Sequence, residues 1–346
     1  MQEPSEAGGK KAGEEGGAVR RPPTGKGPEQ RELPKRVQVI INPAAGQDQP
    51  ILKELNAAFS EAKIDWDVSI TKKAGDGQEL AREALDAGVE LVAVNGGDGT
   101  VAEVATGLIG SAVPLAILPG GTANVMAVEL GIPSDLTAAC ALLINPEAIH
   151  RSVDMGRFKA EQGQAESEGR AFLLRASLGF EAEMVEGAKR ELKDRIGVLA
   201  YAFSALQSIA DPPVARYRLN LDGEQVETQG LACIIANSGT MGAQGLFLVP
   251  EIDVSDGLLD VVVVTRSDLP ALVALAASVM GGSETRPALQ HWQVRRVEVH
   301  SDPPQMVQVD GEILESQDVE ISVLPQAVKI LVPQRGELPE GGVQAA

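Results

Sequence analysis

The sequence predicts two domains: an α/β domain with a mostly parallel sheet, followed by a β-rich domain with mainly antiparallel strands. Two observations lead to this prediction. From Arg36 to about residue 150, strand-like and helix-like segments alternate, as they do in sheets built from right-handed crossovers. After residue 150, short strand-like segments joined by tight turns predominate. The length of 346 residues is consistent with two domains.

Residues 1–34 are predicted to be a disordered tail, because Gly, Pro and charged residues dominate and large apolar residues are nearly absent. The α/β domain is expected at 35–150. Its helices show apolar spacing of three and four residues, and its third strand, which is mostly apolar, is predicted to be buried. In chain order, the prediction is strand 36–43, helix 51–64, strand 65–71, helix 76–88, strand 89–97, helix 100–110, strand 114–121 and helices 123–132 and 134–144.

The β-rich domain is expected at 151–317. The segment 318–334 is expected to pack back on the first domain, and 335–346 to be flexible. A helix is predicted at 182–209, and the apolar run from Leu269 is too short to span a bilayer, so it predicts a core helix. Strands are predicted at 151–158, 171–180, 231–239, 258–266, 293–301 and 328–333, with a hairpin at 216–230.

Composition limits the classes of function. The net charge is -19 and aromatic residues make up 3%, which argues against nucleic-acid binding and against general attraction to anionic membranes. Cys140 and Cys233 lie in apolar contexts and are predicted to be buried free thiols, as expected in reducing cytoplasm. The N-terminus has no apolar signal segment, so a cytoplasmic location is expected.

Three strands of the first domain end in glycine-bearing turns, at 42–46, 95–100 and 119–124. Ligands of parallel sheets bind beyond the carboxyl ends of the strands. Gly96, Gly97 and Gly99 would let backbone N–H groups face outward at a helix N-terminus, which suits phosphate. Asp98 would repel phosphate unless a cation such as Mg²⁺ intervened. The alternative is a structural turn in which Asp98 only caps a helix.

These motifs resemble the diacylglycerol kinase catalytic domain family, the lipid kinases related to sphingosine kinases and to bacterial diacylglycerol and phosphatidylglycerol kinases. The resemblance implies an NAD kinase/diacylglycerol kinase-like fold with a nucleotide-binding α/β domain and a sandwich-like second domain. It also implies ATP- and Mg²⁺-dependent phosphorylation of a lipid alcohol such as diacylglycerol, with peripheral membrane contact. The supporting stretches, from Arg36 to Pro333, are INPAAG, TKKAGDGQELAREA, VNGGDGTVAEVATGL, LPGGTANVMAVELGIP, SLGFEAEMV, ANSGTMGAQGLFLVPEIDVSDGLLDVVVV and VDGE.

The resemblance also implies a nucleotide site in the first domain. Ala102 stands where the family usually has Asn, and Val125 replaces an aspartate of an acidic network near Mg²⁺. Asp98 and Asp154 would then take a larger part in that network, although Asp154 could equally just start a turn. The implied nucleotide contacts are Asn42, Pro43, Ala44, Ala45, Gly46, Thr71, Gly96, Gly97, Asp98, Gly99, Thr100, Val101, Ala102, Glu103, Thr122 and Asn124.

A second motif, IDVSDGLLD, resembles a structural Mg²⁺ loop of the family. The resemblance implies that Asp253 and Leu258 would contribute carbonyl oxygens and that Asp256 would contribute a carboxylate. The alternative is an ordinary Asp-Gly hairpin turn.

Phosphoryl transfer to an alcohol needs a group that accepts the hydroxyl proton, and the resemblance implies a glutamate in a D-G-E motif. The motif occurs twice, at 222–224 and 310–312. The first lies between two strand-like segments and predicts a hairpin turn. The second has the family's place in the order of motifs, so Glu312 is predicted to be the general base and Asp310 to orient the turn or the base.

Several alternatives remain open at this stage. The basic segment 189–195 is either a solvated helix face or a membrane-approach surface. An NAD kinase is the competing enzyme, although its characteristic Asn-Glu pair is absent from the sequence. A nucleotide-binding sensor without catalysis is suggested by Val125, and a homodimer is left open.

Overall fold

The computed structural model describes residues 31–45, 50–160, 169–179, 214–240, 247–249, 251–265, 268, 289–314 and 318–334. The expectations for residues 1–30, for Gly46, for the helix at 182–209 with its basic segment 189–195, for the apolar run from Leu269 and for 335–346 lie outside these residues. Within the described parts of the chain, no helix is long and apolar enough to cross a membrane.

The first domain has the predicted alternation of strands and helices, and its strands are parallel in the order β2-β1-β3-β4. Because β1 lies between β2 and β3, the winding of the sheet reverses there, and this is where such sheets form a ligand crevice. The strands are β1 (Arg36–Ile41), β2 (Asp65–Ile70), β3 (Leu91–Gly96) and β4 (Leu115–Pro119). The helices are α1 (Ile51–Ala62), α2 (Asp76–Asp86), α3 (Asp98–Gly107), α4 (Val125–Glu129) and α5 (Leu136–Leu143).

Residues 31–34, which the sequence pattern assigned to the tail, are held against the end of α5. The Arg31 backbone N–H donates to the carbonyl of Pro146 at 2.8 Å. The guanidinium donates to the carbonyls of Leu143 and Asn145 at 2.7 and 3.2 Å. The carbonyls at a helix C-terminus lack intrahelical partners and attract cations, which explains the contact.

The second domain contains the predicted antiparallel sheet, in the order β12-β11-β10-β7-β14-β15. A second core lies between this sheet and the outer strands of the first sheet, with Tyr217 and Leu219 of β8 facing Ile235 of β10. The strands are β5 (Ile149–Ala160), β6 (Arg170–Phe172), β7 (Arg175–Gly179), β8 (Ala215–Leu221), β9 (Glu224–Gly230), β10 (Ala232–Ala236), β11 (Leu259–Val264), β12 (Gln290–Val294), β13 (Arg296–Asp302), β14 (Val307–Val309), β15 (Glu312–Leu314) and β16 (Asp318–Val332).

The last strand, β16, joins the two domains into one ten-stranded sheet. Eight of its strands follow the order β2-β1-β3-β4-β16-β13-β8-β9, and β5 and β6 branch from β16 outside that order. The C-terminal part of β16 pairs in parallel with β4, at Ile330 and Leu115, while its N-terminal part pairs with β13. It also pairs with β5 along both halves, on either side of a bulge between Leu324 and Val328. The sequence predicted only the half at 328–333, because Pro325 and the bulge interrupt the strand pattern.

Asp154 of β5 fixes that bulge. Its side chain is fully buried, and its two carboxylate oxygens accept the backbone N–H groups of Gly257 and Gln326, each at 2.6 Å. Its own N–H donates to the carbonyl of Val254 at 2.7 Å. Asp154 therefore ties β5, the bulge of β16 and the loop at 253–258 together.

Two predicted strands are each broken in two. The segment predicted at 171–180 breaks between β6 and β7, and the one at 293–301 breaks at Arg295, between β12 and β13. In both places the freed backbone N–H groups donate to an aspartate of a D-G-E motif, Asp310 or Asp222. Cys140 and Cys233 are buried and free, as predicted.

We expect Asp154→Ala to lower the free energy of unfolding by about 2 to 5 kcal/mol. It would remove two hydrogen bonds from part-buried N–H groups to a charged acceptor. Hydrogen bonds to charged groups contribute about 1.5–3 kcal/mol each, and partial exposure to water reduces their sum. Denaturant unfolding measures the change, with the exposed Asp67→Ala as a control expected to stay within about 0.5 kcal/mol. A loss seen only when Mg²⁺ is present would instead identify Asp154 as a metal ligand.

Candidate active site

The three glycine-bearing turns of the first domain lie side by side at the carboxyl ends of β1, β3 and β4. The Asn42 backbone N–H donates to the carbonyl of Asn95 at 2.9 Å, and its side-chain amide donates to the Thr100 hydroxyl at 2.8 Å. The Gly120 N–H donates to the carbonyl of Gly96 at 3.1 Å. Hydrogen bonds between the turns therefore hold them together at the switch point of the sheet.

The glycines of these turns serve two purposes. A Cβ at Gly96 would lie 2.7 Å from Cβ of Thr100, and a Cβ at Gly121 would lie 2.6 Å from Cα of Gly97. Gly96 therefore allows the turn at 95–100 to close on its own Thr100, and Gly121 allows the turn at 119–124 to pack on the turn at 95–100. Gly99 is exposed, and a Cβ there would meet nothing within 4 Å. Of the glycines at 96–99, Gly99 therefore leaves the most open backbone for a ligand, in the first turn of α3.

Several of the expected nucleotide contacts have side chains with structural partners. Val101 and Ala102 are buried in the core. Glu103 accepts the N–H groups of Gly75 and Gly77 at 2.9 and 3.0 Å, next to the start of α2. At these three positions, a ligand would therefore contact backbone atoms and not side chains.

The remaining expected contacts lie nearer the surface or close their own turns. Asn124 closes the third turn by two hydrogen bonds to Gly121, at 2.9 and 2.8 Å. Pro43, Ala44 and Thr122 are exposed, and Thr71 is buried beside the end of β1.

Asp98 connects the glycine turns to the next helix. Its carboxylate accepts the backbone N–H groups of Val125 and Met126, the first two residues of α4. Burial raises the pKa of Asp98 to about 6, while those two N–H groups and the charge of Arg175 oppose the rise. The negative charge of Asp310 adds to the rise. Asp310 accepts the N–H groups of Leu173 and Leu174, whose side chains pack in the core of the first domain, so Asp310 lies against that domain.

The second D-G-E motif forms the hairpin turn between β14 and β15, with φ of 45° at Asp310 and 92° at Gly311. The Asp310 carboxylate accepts the N–H groups of Leu173, Leu174 and Arg175 at 2.7, 2.9 and 3.0 Å. Burial raises the pKa of Asp310, and these N–H groups oppose the rise. The turn is therefore fixed to the break between β6 and β7.

The first D-G-E motif has nearly the same local geometry. It is the predicted hairpin turn between β8 and β9, with φ of 51° at Asp222 and 101° at Gly223. The Asp222 carboxylate accepts the N–H groups of Arg295 and Arg296 at 2.9 and 2.8 Å. A hairpin turn thus does not distinguish the two motifs; the surroundings do, because Asp310 rather than Asp222 interacts with Asp98.

Glu312, the first residue of β15, has a half-exposed side chain paired with Arg170 of β6. Its Oε2 lies 2.6 Å from the Arg170 Nη2. Glu224, the matching residue of the first motif, is exposed at the start of β9. The ion pair gives Glu312 a defined orientation beside the Asp310 turn.

The loop at 253–258 contains the expected Mg²⁺ ligands. The Asp253 carboxylate is 2.5 Å from the Arg151 guanidinium, and the Asp256 carboxylate accepts the N–H of Leu258 at 2.9 Å. Burial raises the pKa of Asp256, and the charges of Asp253 and Asp154 add to the rise. A cation would relieve that repulsion, so the residues fit a divalent metal. Among the described residues, no group of three or more His, Cys, Asp or Glu side chains could hold a metal by themselves.

Sequence reasoning missed three residues near the site: Glu129, Arg170 and Arg175. Glu129 of α4 accepts the Ser238 hydroxyl and the Thr240 N–H at 2.8 and 2.9 Å, which ties the first domain to the end of β10. A charged residue inside an apolar strand segment, as Arg175 is in FLLRASLG, is the signal that could have identified one of them.

The comparisons with known proteins agree with this architecture. Residues 36–158 match the diacylglycerol kinase catalytic domain, and residues 175–332 match the YegS C-terminal NAD kinase β sandwich-like domain. A solved structure of a diacylglycerol kinase from Bacillus anthracis superposes with a TM-score of 0.69 at 23% identity, covering 88% of this chain and 98% of that chain. That likeness shows the shared fold.

Curated relatives are similar over most of the chain. A Pseudomonas aeruginosa protein named "Probable lipid kinase YegS-like" is 33% identical over 303 residues, covering 86% of this chain and 94% of the relative. A Klebsiella pneumoniae protein with the same name is 30% identical over 299 residues, covering 85% and 95%.

The two matched regions define a two-domain architecture, with a diacylglycerol kinase catalytic domain followed by an NAD kinase β sandwich-like domain. The chain belongs to the diacylglycerol kinase catalytic domain family. The Pseudomonas and Klebsiella relatives are named as lipid kinases. Membership of a kinase family implies the use of ATP and typically of a divalent metal.

We expect the wild-type protein to lose stability relative to Asp98→Asn as the pH rises from about 4 to about 6, in the presence of EDTA. The folded protein holds the Asp98 proton up to about pH 6, whereas the unfolded chain releases it near 3.8. Above that window the difference should be constant. Denaturant unfolding from pH 4 to 7.5 measures the difference, with exposed Asp67→Asn as the control. A wild type that gains stability relative to Asp98→Asn as the pH rises would contradict the assignment.

Proposed function

We propose that the protein is an ATP- and Mg²⁺-dependent lipid kinase that transfers the γ-phosphate of ATP to the hydroxyl of a lipid such as diacylglycerol. The observation that supports this most is the proximity of Asp98 and Asp310. It brings the D-G-E turn of the second domain, with Glu312, next to the glycine turns of the first. A proton acceptor beside a phosphate-binding loop is the arrangement that phosphoryl transfer to an alcohol needs.

In this proposal the turns at 42–45, 95–100 and 119–124 bind ATP. The exposed backbone at Gly99 and the first turn of α3 favour phosphate oxygens, because N–H groups at a helix N-terminus have partial positive charge. Asp98 would hold a Mg²⁺ ion near the phosphates. When bound, the ion would neutralise charge on the phosphate oxygens.

Glu312 accepts the proton of the lipid hydroxyl. Arg170 orients its carboxylate through the 2.6 Å ion pair, and the Asp310 turn fixes the backbone at the start of β15. As a base, Glu312 makes the hydroxyl oxygen a better nucleophile toward the γ-phosphorus. Because the substrate is a lipid, the proposal includes transient contact with a membrane surface.

A catalytically weak nucleotide-binding sensor is the second candidate. It is favoured by Val125, which is 5% exposed and apolar where the resemblance implies an acidic residue. A sensor would bind ATP without phosphorylating a lipid, whereas a kinase would do both.

The test is phosphorylation by the full-length protein of a panel of lipid alcohols, with products detected by mass. The panel contains diacylglycerol, phosphatidylglycerol and sphingosine, each supplied both in detergent and in vesicles. Phosphorylation of at least one lipid, dependent on ATP and Mg²⁺, supports the proposal. ATP binding without any lipid product would favour the sensor, and phosphorylation of NAD would favour an NAD kinase.

We expect Glu312→Gln to lower kcat by roughly 10²–10⁴-fold, the usual contribution of a general base. The matched variant Glu224→Gln should retain nearly full activity, because the first D-G-E turn holds only the break between β12 and β13. Steady-state kinetics on the preferred lipid measures both. Equal losses, or the larger loss in Glu224→Gln, would show that the base lies in the first motif.

A further inference from the structure

We propose that Arg175 binds the γ-phosphoryl group of ATP and holds it between the glycine turns and Glu312. This inference rests on the proposed kinase function and adds a residue to it. Arg175 is the first residue of β7, in the antiparallel sheet of the second domain. Asp310 fixes its backbone by two hydrogen bonds. The Asp310 carboxylate accepts the N–H of Arg175, and the Asp310 backbone N–H donates to the carbonyl of Arg175, each at 3.0 Å.

Arg175 directly follows Leu173 and Leu174, whose side chains pack in the core of the first domain, and it pairs with Asp310 through its backbone N–H and carbonyl. Its charge acts on the carboxylates of Asp98 and Asp310, which come from different domains. Arg175 therefore lies at the junction between the phosphate-binding turns and the D-G-E turn. Among the described residues, the neighbouring Arg170 is paired with Glu312 and Arg151 with Asp253, so neither has the same place.

The Nη1 atom of Arg175 is buried and has no hydrogen-bond partner among the residues that the structure describes. A buried N–H without an acceptor is costly, especially on a charged group. The two nearby carboxylates already accept backbone N–H groups: three for Asp310 and two for Asp98. The guanidinium thus has donors available for a further acceptor, and phosphate oxygens match its planar, two-pronged geometry.

The charges around the site indicate that the phosphate bound by Arg175 is the γ-phosphate. Asp98, Asp310 and Glu312 are all acidic, so a phosphoryl group passing between them needs a cation on the side of the second domain. Arg175 comes from that domain and is anchored to the same turn as Glu312, so its charge lies on the acceptor side of ATP. There it would stabilise the negative charge on the transferring group, in the way that positioned cations do in other phosphoryl transfers.

The lipid hydroxyl oxygen forms a bond to the γ-phosphorus, and its proton passes to the Glu312 carboxylate. The bond between the γ-phosphorus and the bridging oxygen breaks, and its electron pair leaves with ADP. Arg175 donates hydrogen bonds to the γ-phosphoryl oxygens throughout and exchanges no proton.

The test compares ATP and ADP, which differ by the γ-phosphate. In Arg175→Ala, we expect affinity for ATP to fall about 10-fold, the effect of losing a charge-assisted contact, while affinity for ADP changes less than about 2-fold. We expect kcat on the preferred lipid to fall roughly 10²–10³-fold. Arg175→Lys should recover part of the ATP affinity but remain well below the wild type in kcat, because Lys lacks the two-pronged geometry. Calorimetry in Mg²⁺ and steady-state kinetics measure these changes, with exposed Arg216→Ala on β8 as the matched control.

A second measurement needs no variant. Phenylglyoxal modification of the wild-type protein, mapped by mass, should modify Arg175 less in the presence of ATP than in the presence of ADP. This measurement decides the proposal if Arg175→Ala does not fold.

Equal loss of ATP and ADP affinity in the variants, an unchanged kcat, or equal protection by both nucleotides would overturn the role of Arg175. Those outcomes leave the proposed function standing if the wild type phosphorylates a lipid. A wild type that phosphorylates none would instead overturn the proposed function.

Discussion

The structure depends on one constraint: backbone N–H groups freed where a strand is interrupted must find an acceptor. Three aspartates meet this need. Asp154 serves the bulge of β16, Asp222 the break between β12 and β13, and Asp310 the break between β6 and β7. Aspartate suits this use because it is short and its two oxygens can accept several N–H groups at once.

At Asp310 the same solution supports the site. Its carboxylate accepts the N–H groups at the break at 173–174 and that of Arg175. The same contacts fix the hairpin turn that leads into β15 at Glu312. The geometry between Glu312 and the glycine turns thus follows from a folding requirement. Asp222 meets the same requirement in the same kind of turn without Asp98 nearby, so D-G-E is a structural device that the site uses in only one of its two copies.

Sequence patterns predicted the alternation of the first domain, the antiparallel second domain and the β8–β9 hairpin, because these depend on local periodicity and turn chemistry. They did not predict the full length of β16 or the two broken strands. There the deciding contacts join residues far apart in the chain, such as Gln326 and Asp154.

Some features of the candidate site could likewise be predicted from sequence motifs, and others depend on contacts between distant residues. The motifs identified the turns at 42–46, 95–100 and 119–124, and the structure places their described residues side by side. The motifs did not show that Gly96 is needed for packing within its turn and Gly121 for packing between two turns. Nor did they show that Glu103 accepts N–H groups at the start of α2. Arg170 and Arg175 acquire their importance from partners more than 130 residues away.

The pairing of β16 with both β4 and β13 has a mechanical consequence. A hinge rotation that opened the two domains would have to break main-chain hydrogen bonds along the continuous sheet, which separate domains joined by a flexible linker would not. In the proposed reaction, a nucleotide and a lipid would therefore have to be admitted by movements that leave this sheet intact. The distance between the parts of the two domains that the ten-stranded sheet itself carries is fixed when the protein folds.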